Sequence, residues 1–431
     1  MTRQEAAQYA LDKLIKSGAD KAACTVACGK KEEFNVEAGK FSLLRTLFDD
    51  SLSLKAICDG RKGVTVLNKI DKASIDTAVE NCISLAQSSI PDDAEDIAEQ
   101  IENKSFDQSA YGSDLDGLFR KTKEFIQQIN DEYPKIILEG VVSEYNTAEI
   151  TYLNSNGVEF HDKKEHYDMS SMFSAHDGEK SSSFNHYGAS FASPKTPFID
   201  IGMHRTLLDE SVKSLDTRMV ENKYVGKIII TPACDVIWST LFGCFLTDRP
   251  LVEKTSRWKD ALGTKVADSK LTLRLVPLHP GVTAGERFTS DGYESRDIDI
   301  IRNGVLTSFA LSLYGSRKTG HQRAGNTAFV NIEVAAGDTA LAQMIKDIDR
   351  GILLNRFSGA APGPSGDISG VAKNSFMIEN GRITDALSET MVSFNIVDIL
   401  ANIPAISKER SENGESILPW CCFDGVTISG K

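Results

Sequence analysis

Residues 228–266 read IIITPACDVIWSTLFGCFLTDRPLVEKTSRWKDALGTKV, and this stretch decides how the chain is interpreted. Three isoleucines at 228–230 predict a buried strand, and Pro232 is a residue type that favours the start of a helix. Apolar residues then recur at helical spacing: Val236, Ile237, Leu241, Phe242 and Phe245. The stretch therefore predicts a buried strand that leads into an amphipathic helix.

The helix is notable for the metal ligands that it lacks. No histidine lies between His204 and His279. Cys234, Asp235 and Cys244 carry the metal-binding side chains nearest to the helix. No two of them are three or four residues apart, the spacing that places side chains on one helical face. A standard zinc-binding helix is therefore not expected here.

The order of strand and helix resembles the TldD/PmbA family. In its TldD branch this helix carries His-Glu-x-x-x-His, in which two imidazoles hold zinc and the glutamate acts as base. Because those residues are absent, the chain resembles the PmbA (TldE) branch. Six further phrases match the family in order, at residues 57–68, 153–160, 288–311, 316–328, 365–387 and 393–407.

The resemblance implies a subunit without its own zinc. TldD-like and PmbA-like chains would form one protease that processes or degrades unfolded peptides, through leader-peptide removal or antitoxin degradation. The zinc would lie in the TldD-like catalytic subunit, and this chain would be its non-catalytic partner in a heterodimer. A homodimer is the other expected assembly.

A further zinc ligand of TldD-type relatives is a cysteine in a glycine-rich loop near the C-terminus. The comparable stretch here, ERSENGESILP at 409–419, contains no cysteine. Cys421 and Cys422 follow in the predicted final strand and are interpreted as packing residues. No catalytic and no metal-binding residue is therefore assigned.

Two alternatives stay open. One is a metallopeptidase active in its own right, with a non-standard site at His161 and His166. Residues 162–165 are interpreted as a turn between these two histidines, which would make them cross-strand neighbours. The other is a non-enzymatic regulator, because some family members are called modulators of DNA gyrase.

The charge and composition of the chain limit the classes of partner that it is expected to bind. The chain has 431 residues, a net charge of −13 and no basic patch with which to displace phosphate counterions, so no direct nucleic-acid contact is expected. The N-terminal residues predict a helix over 2–17 rather than a secretory signal, and no membrane span is expected. Eight cysteines without a CxxC pair indicate reduced thiols in a cytoplasmic protein.

The predicted fold class is α+β. Residues 1–217 are expected to form an N-terminal domain of antiparallel sheet with packed helices, and residues 218–431 a β-rich C-terminal domain. Short strands are expected at 21–28, 32–38, 43–48, 52–58 and 63–68, with turns at Asp59-Gly60 and Lys62-Gly63. A helix over 74–88 is capped by Asp71, and Asn156-Gly157 and Asp177-Gly178 predict hairpin turns.

The loop FSGAAPGPSGDISG at 357–370 supplies candidate residues for a peptide groove. Its glycines and prolines leave backbone donors free, which suits the binding of an extended peptide. Gly363, Ser365 and Asp367 are the candidates within it. Ser256 is a fourth candidate, since it matches the family's phrase after the central helix. A plain connecting loop is the alternative interpretation.

Overall fold

Long antiparallel strands build the N-terminal half. The computed structural model describes residues 1–109, 112–360 and 362–430. Strand β1 (Lys21–Glu37) turns at Ala38-Gly39 into β2 (Lys40–Cys58), and β5 (Ile136–Asn154) turns at 155–158 into β6 (Glu159–Asp177). The prediction of four short strands over 21–58 was wrong. Residues 29–31, between the first two predicted strands, lie within β1, where successive side chains alternate between the two faces of the sheet.

Within the described residues these strands belong to one eight-stranded sheet. The order is β3-β2-β1-β5-β6-β4, and β7 and β8 also pair with β6. Its remaining strands are β3 (Arg61–Leu67), β4 (Lys104–Gln108), β7 (Lys180–Ser181) and β8 (Asn185–Phe191). The predicted hairpin turns at Asn156-Gly157 and Asp177-Gly178 are confirmed, since both glycines have positive φ angles between paired strands.

Four helices accompany this sheet: α1 (Arg3–Lys16), α2 (Lys72–Ser88), α3 (Leu115–Glu132) and α4 (His204–Lys213). The predicted cap of α2 is confirmed, because the Asp71 side chain accepts a hydrogen bond from the Ser74 amide. Helices α1 and α2 share one apolar core with β1 and β2. Helices α3 and α4 cover a second core, together with a 3-10 turn at Phe198–Asp200.

The C-terminal half is a larger mixed sheet, with fourteen strands among the residues described. Its centre is β10 (Tyr224–Ile230), which pairs in parallel with β15 (Arg350–Leu354) and antiparallel with β22 (Ile417–Ser429). The other strands are β9 (Thr217–Arg218), β11 (Leu273–Leu275), β12 (Ile298–Arg302), β13 (Val305–Leu306), β14 (Ile332–Val334), β16 (Arg356–Gly359), β17 (Asp367–Lys373), β18 (Phe376–Glu379), β19 (Arg382–Leu387), β20 (Thr390–Asn395) and β21 (Ala405–Glu412).

Short helices pack on this sheet: α5 (Val236–Leu241), α6 (Asp248–Val252), α7 (Leu313–Thr319), α8 (Leu341–Lys346) and α9 (Ile396–Leu400). The predicted strand at 228–230 is confirmed as the end of β10. The helix begins later than Pro232 suggests, at Val236, and after Leu241 it changes into a π-helical turn over Phe242–Leu246. Ile237, Leu241 and Phe245 are buried in the main core.

The α+β prediction is confirmed: an antiparallel sheet with packed helices comes first and a larger, strand-rich unit follows. The first sheet uses residues between 21 and 191, and the second uses residues between 217 and 429. The division into domains 1–217 and 218–431 stays a prediction. Among the described residues, no helix has the length and apolar character needed to cross a membrane.

Candidate functional site

A cleft of about 710 Å³ separates the N-terminal sheet from helix α5. One wall is a face of β5, β6 and β8, and the other contains α5, residues 329–332 and the loop before β22. A second compartment of about 540 Å³ adjoins it, because Asp168, Ser190, Val330 and Glu415 line both. Together they form a long cavity between the two halves of the chain.

The sheet wall of the cleft is polar. Lys31 lies 2.8 Å from the Glu144 carboxylate, Asn146 donates a 2.7 Å hydrogen bond to Asp168, and His166 Nε2 lies 3.2 Å from Asp168 Oδ2. Burial tends to raise the pKa of Asp168, but hydrogen bonding from His166, aided by Ser190, outweighs it and leaves that pKa below its usual value. The half-buried Asp168 carboxylate is therefore held charged beside the cleft.

The opposite wall contains three aromatic side chains, Trp238, Phe242 and Phe329. On and beside α5, Asp235, Trp238, Ser239 and Phe242 face the cleft at intervals of three or four residues. The Phe242 ring stacks on Phe329 with centroids 5.7 Å apart. Trp238 and Phe242 are each 4% exposed, so the apolar surface that is open to the cleft comes mainly from Phe329 and Val330.

The donor set of the cleft does not fit zinc. Trp238 and Phe242 supply no ligand atoms, and Ser239 is not a usual zinc ligand. His166 is engaged by Asp168, and the ring of His186 lies in the cleft without a hydrogen-bond partner among the described residues. Within the described ranges, no group of three or more His, Cys, Asp or Glu side chains is placed to hold a metal.

The two cysteines near α5, Cys234 and Cys244, are poorly suited to binding a metal. Cys234 is buried, and desolvation raises its pKa to about 12. The Cys244 Sγ lies 3.5 Å from the carbonyl oxygen of Gly363, and burial raises its pKa too. Both are held as neutral thiols, which are poor metal ligands.

The loop that resembles the cysteine-bearing loop of TldD-type relatives does reach the cleft. Asn413, Glu415 and Ser416 contribute to its lining. Desolvation and then the Asp168 carboxylate raise the pKa of Glu415. Cys421 and Cys422 lie beyond the loop, buried in β22, as their interpretation as packing residues requires.

His161 and His166 are not cross-strand neighbours. The predicted turn between them was wrong, because both lie in the continuous strand β6, opposite Thr151 and Asn146 of β5. Residues five apart on one strand point to opposite faces of the sheet. His161 instead lies 3.0 Å from Thr151 Oγ1 and 2.8 Å from Glu159 Oε1. His186 lies on β8 opposite Met172 of β6.

Ser256 is placed in the core. Its side chain is 2% exposed, and its hydroxyl donates to the Phe245 carbonyl at 2.8 Å while accepting from the Trp258 amide at 3.1 Å. These bonds fix the chain after α6. The structure leaves this residue no exposed surface for peptide contact, and its assignment to a groove stays a prediction.

Gly363, Ser365 and Asp367 are exposed but do not line the cleft. Arg257 donates to the Ser365 carbonyl at 3.1 Å, and Asn395 donates to both that carbonyl and the Asp367 carboxylate. Side-chain hydrogen bonds from Asn395, and secondly from Ser365, lower the pKa of Asp367. The loop is tied to β20 and lies on another side of the π-helical turn, and a role for it in peptide binding stays a prediction.

Several cleft residues were missed from the sequence. Phe329, Val330 and Glu415 are brought there by contacts between distant segments, so no local spacing marks them. Val330 and its neighbour Phe329 are 67% and 36% exposed and form a small apolar patch beside the cleft. The cleft combines aromatic side chains, a polar sheet face and carboxylates, which suits an extended polypeptide.

Comparisons with known proteins agree with this architecture. A sequence model described as PmbA/TldA metallopeptidase C-terminal domain matches residues 224–430. "Metalloprotease PmbA" of Escherichia coli O157:H7 is 29% identical over 152 residues, a match spanning 35% of this chain and 34% of that relative. "Metalloprotease PmbA homolog" of Haemophilus influenzae is 23% identical over 449 aligned positions, covering 99% of this chain and 96% of the relative.

Two solved structures share the fold along nearly the whole chain. TldE from Thermococcus kodakarensis superposes with a TM-score of 0.83 at 19% identity, covering 99% of this chain and all of the other. A protein described as a putative modulator of DNA gyrase, from Bacteroides thetaiotaomicron, gives a TM-score of 0.85 at 22% identity, with 99% of each chain covered. These identities establish a common fold and nothing finer.

Proposed function

Because this chain belongs to the PmbA/TldD family of metallopeptidases, we propose that it is the metal-free, non-catalytic subunit of a two-chain zinc metallopeptidase. Its partner is a TldD-like catalytic subunit that holds the zinc, and this chain binds no cofactor of its own. The assembled protease processes or degrades unfolded peptides, by leader-peptide removal or antitoxin degradation. The proposal places the complex in the cytoplasm, without direct contact to nucleic acid or membrane.

The observation that carries the proposal is the composition of the α5 face. Where the family resemblance puts a zinc-binding helix, this chain directs Trp238, Ser239 and Phe242 into the cleft. An indole and a phenyl ring bind apolar side chains and supply no metal ligand. The helix therefore supplies part of the cleft wall and no pair of zinc ligands.

The cleft geometry supports a peptide substrate in extended form. A chain lying between the sheet wall and the aromatic wall would alternate its side chains between them, because successive residues of a strand point to opposite sides. Apolar side chains would meet Phe242 and Phe329, and polar ones would meet Glu144 and Asp168. A folded domain is too thick to take this position, which favours unfolded polypeptides as substrates.

The proposal is tested by reconstitution. The purified chain, a purified TldD-like chain from the same genome, and their mixture are each incubated with a labelled unfolded peptide, and cleavage is followed by mass spectrometry. We expect cleavage by the mixture, none by this chain alone, and loss of cleavage when the metal-binding histidines of the TldD-like chain are replaced. Cleavage by this chain alone, or a mixture no more active than the TldD-like chain alone, would contradict the proposal.

A further inference from the structure

A separate cavity of about 1010 Å³ lies apart from the cleft. Residues 99–104, which lead into β4, form one side of it, and residues between 293 and 325 of the C-terminal half form the other. The cavity shares no lining residue with the cleft or with the compartment that adjoins the cleft. A ligand bound here would contact both halves of the chain at a place that the proposed function does not use.

Two arginines of this cavity have no acidic partner. Arg296 and Arg323 form no ion pair, and their side chains form no hydrogen bond, with any residue that the structure describes. The other two cations of the lining, Lys104 and Arg302, each lie in an ion pair with a carboxylate of the same lining. Two guanidinium groups are therefore available to bind an anion.

The guanidinium of Arg323 is held by an aromatic ring. Its Cζ atom lies 3.7 Å from the centroid of the Tyr293 ring, and the Tyr293 hydroxyl donates to a Glu99 carboxylate oxygen at 2.5 Å. Stacking covers one face of the guanidinium, whereas its N–H donors lie in the plane of the group. The Nη1 atom is buried and has no acceptor among the described residues. An unpaired donor of this kind is costly, and the cost falls when a ligand supplies the acceptor.

Arg296 is brought close to the Arg323 segment by backbone hydrogen bonds. Its amide donates to the Gly325 carbonyl at 2.9 Å, and Asn326 Nδ2 donates to the Arg296 carbonyl at 2.8 Å. A Cβ at Gly325 would lie 2.6 Å from Ile298 Cγ2, so the absence of a side chain there permits this close approach. The two arginines therefore come from adjacent segments that line one cavity.

We propose that this cavity binds the carboxylate of a peptide, and that Arg323 and Arg296 hold it. This inference goes beyond the proposed function and does not rest on it. A planar guanidinium matches a carboxylate, because the two groups can form two parallel hydrogen bonds. The C-terminus of a peptide and the side chain of an aspartate or glutamate supply the same group. Half-buried apolar side chains of the lining, Ile101, Ile298 and Leu313, offer contact surface for the rest of the peptide.

The charge of the lining favours a carboxylate over a phosphate. Five carboxylates lie in it beside the four cationic side chains. Their repulsion grows with the charge of the ligand, and a phosphate group carries about two negative charges near neutral pH. An exposed carboxylate such as that of Glu102 can also accept hydrogen bonds from the amide groups of a peptide.

Isothermal titration calorimetry on the purified full-length chain, without any TldD-like chain, tests the proposal. The probes are N-acetylated leucyl-alanyl-alanine with a free carboxylate, its C-terminal amide, and an amide in which the central alanine is replaced by glutamate. We expect the free acid to bind on the order of tenfold more tightly than its amide. If the glutamate-containing amide binds as the free acid does, the site accepts any peptide carboxylate; if it binds as the simple amide does, the site is specific for the C-terminus.

Arginine variants assign the binding to this cavity. Arg296→Gln and Arg323→Gln should each raise the Kd of the free acid on the order of tenfold, because each removes charge-assisted hydrogen bonds. Arg323→Lys should also weaken binding, since an ammonium group lacks the planar pair of donors. Arg382→Gln, at an exposed position of β19 without an ion pair among the described residues, is the matched control and should bind as the wild type does.

Thermal unfolding verifies that each variant is folded. Arg296 is exposed, so its replacement tests the site without disturbing the core. No binding of the free acid, equal Kd values for the free acid and its amide, or Kd values of Arg296→Gln and Arg323→Gln equal to that of Arg382→Gln would overturn the proposal. Tighter binding of inorganic phosphate than of the free acid would overturn it too. The cleavage of peptides with a TldD-like chain is measured separately, so these outcomes leave the proposed function untouched.

Discussion

The rings of Phe242 and Phe329 stack with centroids 5.7 Å and planes 25° apart. Phe242 begins the π-helical turn after α5, and Phe329 comes from a segment far along the chain, so the contact joins two distant parts of the C-terminal half. The pair forms part of the cleft wall where the family resemblance leads one to expect imidazoles. The wall can bind an apolar side chain of a peptide and supplies no metal ligand, which is the basis for a non-catalytic role.

Replacing Phe329 by alanine should weaken peptide capture. The side chain is 36% exposed, so its removal costs little core packing while the ring surface facing the cleft is lost. An aromatic contact contributes on the order of 1 kcal/mol, which predicts a several-fold higher Kd for a fluorescent unfolded peptide bound to the two-chain complex. Fluorescence anisotropy measures the change. Leu85→Ala, at an exposed position on α2 outside the cleft, is the control, and equal affinities for the two variants would show that the cleft is not the peptide site.

Glu210 should make the stability of the chain depend on pH. The residue is 9% exposed, accepts a 2.7 Å hydrogen bond from Asn355 Nδ2, and has its pKa raised to about 8, chiefly by desolvation. A pKa raised above the unfolded value means that its contribution is fully present below about pH 4.5 and is lost as the pH rises through about 8.

Glu210→Gln should therefore reduce the dependence of the free energy of unfolding on pH. At alkaline pH we expect that free energy to rise by an amount on the order of 2 kcal/mol. Urea unfolding at several pH values measures it. Glu80→Gln, at an exposed position on α2, should keep the wild-type slope. Parallel slopes for Glu210→Gln and wild type would show that Glu210 is ionised in the folded state.

Gly63→Ala should destabilise the N-terminal half. A Cβ at Gly63 would lie 2.0 Å from the Cys82 carbonyl oxygen and 2.7 Å from the Ala86 amide nitrogen, both backbone atoms of α2. Forcing the helix away costs on the order of 1–3 kcal/mol. Gly29→Ala is a matched control in β1, because its nearest neighbour atom would be 3.6 Å away. Thermal unfolding compares the two, and an unchanged Tm for Gly63→Ala would contradict the close approach of β3 to α2.

His161→Ala combined with His166→Ala should leave the metal content of the chain unchanged. The two side chains point to opposite faces of β6, so they do not share a metal ion. Metal content is measured on the folded wild type and the folded double variant. Loss of a stoichiometric metal from the double variant would instead support a chain that is catalytic in its own right.

Much of the local structure could be predicted because short-range physics decides it. Asp71 caps α2 through the Ser74 amide, and Asn156-Gly157 turns β5 into β6, as their residue types suggest. Gly63 shows the limit of this reasoning. It was assigned to a turn as glycine commonly is, yet it lies in β3 and is small because a helix presses on it.

Less of the candidate site could be predicted from the sequence. The π-helical turn at 242–246 changes which side chains share a face, so an ideal helical period does not place Cys244, which contacts the 362–363 loop. Phe329 and Glu415 enter the cleft through tertiary packing between segments far apart in sequence. The expectation that the helix holds no zinc rests on residue identity alone and stays a prediction.

Metal content tests the central claim most directly. The chain is purified natively, without chelators and with a tag that contains no histidine, and its zinc is measured by elemental mass spectrometry per mole of protein. The account predicts zinc far below one per chain, because the helix beside the cleft carries Trp238 and Phe242 in place of imidazoles. About one zinc per chain would contradict it and would assign the chemistry to this subunit.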